Sequence, residues 1–266
     1  GSEAAIHLTD TLEHPPAQYL FECMEDPISV ESQRAVSLKL EDRFSIVVGN
    51  PPYDREHRAD GGPRKGGVVR HGVEGIQPLL ETYMQPLREA GLSGRHARSL
   101  YNDYVYFWRW ATWQALERHP GPGVVAFITA RSFLDGVSFG GMRSDLRSKF
   151  DELIVVDLGG DGLGSAIGVD ENVFDIRVPV AICIGIRTSA VPSSNCTVRY
   201  LRLFGTREAK FSALKDLSLD SVSARVEGKG LDPLAPVPGG RKDWVSIMDI
   251  FPWIYLRSND QKKLGF

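Results

Sequence analysis

The sequence predicts an α/β fold, a mostly parallel sheet with helices on both faces. Three observations carry the prediction. Runs rich in Val, Ile and Leu recur along the chain, segments of helical period alternate with them, and Gly- and Pro-bearing stretches separate the two kinds. With 266 residues, 42% of them hydrophobic, there is material for a sizeable core.

Taken in order, Ile6 to Leu12 reads as a short strand and Phe44 to Gly49, FSIVVG, as a buried one. Residues 54 to 75 are too polar and glycine-rich for either element and read as a loop. Ile76, Leu79, Leu80, Tyr83, Met84 and Leu87 return at helical spacing, with Pro78 and Pro86 limiting or kinking that helix. Leu100 to Glu117, LYNDYVYFWRWATWQALE, predicts a long buried aromatic helix ended by His119-Pro120-Gly121. A strand over Val124 to Thr129, a helix over Met142 to Phe150 and a strand over Leu153 to Leu158 give the βαβ rhythm of a parallel sheet. Strands over Val178 to Ile186 and Val198 to Phe204, then a helix over Glu208 to Leu217, complete the periodic part.

From Leu219 onward Pro and Gly are frequent and periodicity fades. Residues 1–218 are therefore expected to form one core, and 219–266 a linker or the start of a further domain. Gly1-Ser2 resembles a protease scar and the chain stops at Leu264-Gly265-Phe266 without a polar tail, so a piece of a longer protein is expected.

A formal net charge of −3 argues against a surface coated for nucleic acid and confines any such contact to a local basic segment. Cys23, Cys183 and Cys196 are widely spaced and odd in number, which fits a reducing cytoplasm and offers no metal-ligand pattern. Cys183 reads as strand core. No apolar run approaches the ~18 residues of a membrane span, and no signal-peptide pattern opens the chain.

At the end of FSIVVG stands the segment with the most chemistry, Asn50-Pro51-Pro52-Tyr53. An Asn at the carboxyl end of a strand offers a side-chain carbonyl, and two prolines remove donors and stiffen the turn, so acceptor oxygens can face a substrate NH2. Tyr53 adds a flat face for a planar base. Pro-Pro after Asn can also simply end a strand, but open α/β sheets place ligands at this edge.

FSIVVGNPPY resembles the catalytic motif of the amino-methyltransferases, in particular the DNA adenine-N6 methyltransferases of the gamma arrangement. The resemblance implies a Rossmann-like class I S-adenosylmethionine-dependent methyltransferase sheet, with Asn50, Pro51, Pro52 and Tyr53 as catalytic residues. It also implies S-adenosylmethionine as cofactor and double-stranded DNA as partner. HLTDTL places Asp10 and Thr11 where the family contacts the cofactor's adenine; a turn or cap is the other reading of Asp10. Leu100-Tyr101 followed by GVVAFI repeats the family's order of helix and strand. Asn172-Val173-Phe174 before VPVAICI resembles the segment supplying a second aromatic wall, so Phe174 would face Tyr53 across an extruded adenine; a core Phe at a strand entrance is equally consistent.

Arg55, Arg58, Arg64, Lys65 and Arg70 lie among glycines beside this motif, offset by Asp54, Glu56, Asp60 and Glu74. They could grip phosphates around the base, or form a solvated insertion. The family's glycine-rich methionine loop belongs upstream of Asp10 and is missing, so the sheet is expected to be N-terminally truncated. Gly159-Gly160-Asp161-Gly162-Leu163-Gly164 does not fit GxGxxG and reads as a loop rimming the substrate pocket. An insertion carrying Glu31-Ser32-Gln33-Arg34 and the C-terminal extension resemble large restriction-modification enzymes, of the type I single-polypeptide or fused type II kind, in which nuclease-helicase and target-recognition regions flank the methyltransferase. Glutamine-N5 or RNA methylation, and a non-catalytic DNA-binding specificity module, are the alternatives.

Overall fold

The computed structural model describes residues 9–13, 35, 38, 39, 44–53, 66–89, 94, 97–134, 136–160, 170–174, 176–193 and 196–218. Within them, five strands form one sheet: β1 (Ile46–Gly49), β2 (Gly123–Ala130), β3 (Glu152–Gly159), β4 (Val180–Arg187) and β5 (Thr197–Arg202). Their order is β1-β2-β4-β3-β5. β1 pairs parallel with β2, and β3 with β5, whereas β4 runs antiparallel to both β2 and β3. Four strands thus share one direction, and a single reversed strand sits in the middle. The expected mostly parallel sheet is thus a mixed one, with two parallel and two antiparallel pairings among the described strands, a distinction that hydrophobic periodicity does not encode. Expected residues 219–266 lie outside the described part.

Helices α1 (Gly67–His71), α2 (Glu81–Glu89), α3 (Asp103–Thr112), α4 (Gly140–Lys149) and α5 (Arg207–Lys215) surround the sheet. The main core lies on one face, where Leu153 and Val155 of β3, Ala181 and Cys183 of β4, and Val198 of β5 meet residues of α1 to α4. Alternate residues Ile154 and Val156 point the other way and pack with Leu201 and, from α5, Ala213 and Leu214. Trp108, fully buried on α3, sets its ring edge-on to Phe127 at 5.1 Å and 80° and donates to Thr129 Oγ1 at 3.3 Å. That pairing locks α3 across β2.

Two expectations need correction. β1 is an edge strand among the described residues rather than a buried one: it pairs on one side only, and Ile46 and Val48 are 65% and 73% exposed. Among the described residues, cover on the second face reaches β3 and β5 through α5 and does not extend to Ile46 and Val48 of β1. The 54–75 stretch is not all loop either, since Gly67–His71 is helical; Gly66 and Gly67, at φ 93° and 42°, make the entry turn that a side chain would resist.

The long aromatic helix is present, with different ends. Asn102, extended at φ −146° and ψ 139°, caps α3 by accepting from Tyr104 N, and a π-helical turn over Trp113–Glu117 continues it. Arg109 holds that turn down: its guanidinium donates to both Glu117 carboxylate oxygens at 2.7 and 2.9 Å and its Nε donates to Leu79 O at 3.0 Å. Of the predicted strand ending at Leu12, residues 9–12 are not strand: Thr11 and Leu12 form a turn, closed by Glu13 N donating to Asp10 O at 3.3 Å. Asp10 Oδ1 accepts from Leu12 N at 3.0 Å, the side-chain-closed turn that competes with strand pairing.

Candidate functional site

Four co-directional strands align their carboxyl ends, and the start of β4 joins them on the same edge. Asn50 to Tyr53 leave β1 there, Arg131 follows β2, Asp157 to Gly160 close β3, Phe174 and Pro179 precede β4, and Phe204 follows β5. An open α/β sheet binds ligands at this edge.

Within the predicted motif, Asn50 is exposed, Pro51 buried and Tyr53 half-buried. The Tyr53 hydroxyl donates to Asn50 Oδ1 at 2.7 Å. Its ring touches both hydrophobic clusters, one of which contains Val173 beside Phe174. Burial pushes the Tyr53 phenol up to about 12, so it is a neutral donor at any physiological pH. Behind the motif, Asn102 Nδ2 donates to Tyr53 O at 3.3 Å while its Oδ1 accepts from Tyr104 N at 3.3 Å. One buried side chain therefore fastens the turn to the first residues of α3. Asn102 falls inside the helix that the sequence predicts from Leu100, although Asn before Asp and an apolar run is a capping signal.

Phe174 is 41% exposed, so it is a surface ring at the edge rather than a core Phe. Asn172 builds the turn that presents it, accepting from Phe174 N at 2.9 Å and donating to Gly160 O at 3.0 Å and Val178 O at 2.8 Å.

Asp10 is exposed and Thr11 half-buried. Lys39 Nζ donates to Asp10 O and, at 3.0 Å, to Glu13 O; desolvation lowers its pKa against the opposing pull of both carboxylates. Leu12 O accepts from Val68 N at 3.1 Å, and a Cβ on Gly67 would lie 2.0 Å from that oxygen. The Asp10 turn is thus docked on the start of α1. From α1, the Arg70 guanidinium sits 4.6 Å above the Tyr101 ring, next to Asn102. A continuous path of contacts runs from the Asp10 turn through α1 and Tyr101 to the residue that holds Tyr53.

Arg70 is consequently a helical residue stacked on an aromatic ring, not part of a flexible basic loop. Arg55, Arg58, Arg64 and Lys65 lie outside the described residues. Among those described, no group of three His, Cys, Asp or Glu side chains could hold a metal ion, and no helix is long and apolar enough to cross a membrane.

The chain's resemblances to known proteins are structural. No family model matches it, and no curated protein does. It superposes on an ATP-dependent Type ISP restriction-modification enzyme, LlaBIII, bound to DNA, with a TM-score of 0.64 and 22% identity over 82% of this chain and 14% of that one. A nuclease-deletion mutant of the Type ISP enzyme LlaGI with a DNA substrate mimic gives 0.55 and 21% identity, over 73% of this chain and 15% of that one. The DrdV–DNA complex gives 0.53 and 24%, over 73% of this chain and 18% of that one. At these identities the likeness is one of fold, and this chain spans under a fifth of the length of each.

Proposed function

We propose that the protein is the methyltransferase part of a restriction-modification enzyme and transfers a methyl group from S-adenosylmethionine to N6 of an adenine extruded from duplex DNA. The observation that carries this reading is Asn50-Pro51-Pro52-Tyr53 at the carboxyl end of β1, with the Asn50 carbonyl and the Tyr53 ring held side by side. The three structural neighbours, restriction-modification proteins or DNA complexes by description, support the same setting.

S-adenosylmethionine would be held by the exposed Asp10 carboxylate, whose Oδ1 accepts from Leu12 N and whose Oδ2 would accept from the cofactor's adenine amino group, with Thr11 its neighbour in the turn. Bound there, S-adenosylmethionine supplies an electrophilic methyl group. Asn50 Oδ1 and the Pro51 carbonyl accept the two N6 hydrogens and turn the nitrogen toward a tetrahedral geometry, which frees the lone pair that the ring otherwise delocalises. Tyr53 stacks on the base and Phe174 closes the other side. As the N6–CH3 bond forms the sulfonium C–S bond would break to leave a neutral thioether, and the methylated nitrogen, acidic once its lone pair is used, gives one proton to water, so no strong base is required.

Asn50→Ala in the full-length protein tests the reading. Methyl transfer is expected to fall below detection with DNA affinity within about threefold of the parent, and unimpaired methylation by the variant would sink it.

A further inference from the structure

A second feature of the same sheet edge is not used by this chemistry. A cavity of about 230 Å³ opens at the ends of β3 and β5, lined by Arg131, Gly159, Gly160, Asp170, Arg202 and Phe204 among others. Its wall is a charge cluster built around Asp157, which is fully buried. Asp157 accepts from Arg131 Nε at 2.7 Å, from an Arg202 guanidinium nitrogen at 2.6 Å and from the Tyr200 hydroxyl at 2.6 Å. Arg202 also reaches Asp170 at 2.5 Å, and Asp170 pairs with the buried Lys210 at 2.6 Å.

Among the described residues, three cations, Arg131, Arg202 and Lys210, thus contact two carboxylates, Asp157 and Asp170, which leaves one positive charge in excess within this set; Glu171 nearby accepts from the Arg207 backbone N–H at 2.9 Å. Burial alone would raise the Asp170 carboxyl, but the Lys210 ammonium, the Gly160 N–H and Arg202 outweigh it and keep it ionised. The backbone is shaped to admit the second guanidinium. Gly159 and Gly160 stand at φ 52° and 75°, and a Cβ on Gly159 would lie 1.9 Å from the Arg202 guanidinium nitrogens. Beside the two arginines, Phe204 is 58% exposed, and Phe174 projects from the turn that Asn172 ties to Gly160. Guanidinium groups next to exposed rings are the pattern that grips a nucleic-acid strand.

We propose that this cavity seats a backbone phosphate of the DNA strand that passes the site, held by Arg131 and Arg202 with Phe204 against the neighbouring sugar or base. The proposal rests on the methyltransferase reading for its choice of DNA. Its position follows from the sheet: β3 lies three strand spacings from β1, about 14 Å at ~4.8 Å each. That distance corresponds to about four steps from the target adenine at 3.4 Å per step along one strand.

Fluorescence anisotropy with the full-length protein and a mixed-sequence duplex tests it. Arg202→Gln is expected to weaken binding about tenfold at low salt and to reduce the slope of log K against log salt by about one. An unchanged slope, with or without a lower melting temperature, would reduce Arg202 to a structural tie and overturn the proposal. Should Arg202→Gln fail to fold, neutral methylphosphonates placed singly near the methylated adenine decide the matter on unaltered protein: a loss of about tenfold three to five steps away supports the seat, and a flat profile there refutes it. Nucleoside analysis of the same samples separates the two ideas, because a protein that methylates no adenine defeats the functional reading while the salt slope still judges the seat.

Discussion

The Tyr53 hydroxyl donates to Asn50 Oδ1 at 2.7 Å, so the oxygen proposed to receive the substrate amine is already engaged by the ring proposed to stack on the base. Because an amide oxygen carries two lone pairs, an incoming amine either shares it with that hydroxyl or displaces it. Since stacking needs only the ring, Tyr53→Phe is expected to keep methyl transfer within about threefold of the parent or improve it. Tyr53→Ala forfeits a base-stacking contact of about 1–3 kcal/mol, a loss of roughly 5- to 150-fold in kcat/KM. Steady-state methylation by the two variants checks both, and equal losses would show that the hydroxyl, not the ring, matters.

Asn102 separates anchoring from capping. Asp caps a helix as well as Asn does, but a carboxylate cannot donate to Tyr53 O. Asn102→Asp should therefore melt close to the parent and lose about tenfold in methyl transfer. Asn102→Ala loses the cap as well, about 1 kcal/mol, and should fall in both thermal melts and activity. An Asp variant with full activity would remove Asn102 from the site.

Asp145 on α4 gives a pH test of the helical layer. Burial lifts its carboxyl to about 6; Arg109 and Lys149 oppose the rise and Glu117 adds to it, with Tyr83 packed nearby. Its Oδ2 is buried without a hydrogen-bond partner. A carboxyl raised above its unfolded value contributes stability that is complete below about pH 4 and lost as pH rises through about 6. Asp145→Asn should thus stabilise the protein by about 3 kcal/mol at pH 7.5, a melting gain of roughly 6–12 °C, and by little at pH 4. A gain of the same size at both pH values would contradict the assignment.

How far the sequence could be read depended on what kind of signal each element leaves. Strands such as VVAFIT and LIVVDL, and the aromatic helix before them, are strong because burial of apolar side chains sets their period. The reversal of β4 left no trace, since the apolar period of a strand is the same in either direction. α1 looked like loop because the glycines that let it pack against Leu12 are also the mark of a turn. In the site, Asn50 to Tyr53 were legible as a contiguous motif. Asn102 and the Asp157 cluster were not, because each acts on residues far away in the chain: Asn102 holds Tyr53, and Asp157 and Arg202 meet only when β3 and β5 pair.

The central claim is that the Asn50 turn directs a methyl group to the exocyclic nitrogen of adenine in DNA. Nucleoside mass spectrometry of duplex DNA incubated with S-adenosylmethionine and the full-length protein tests it most directly. N6-methyladenine as the sole new nucleoside, absent when Asn50→Ala protein is used, is the predicted result. Methylation of another base, of RNA or of protein glutamine, or no methyl transfer at all, would contradict it.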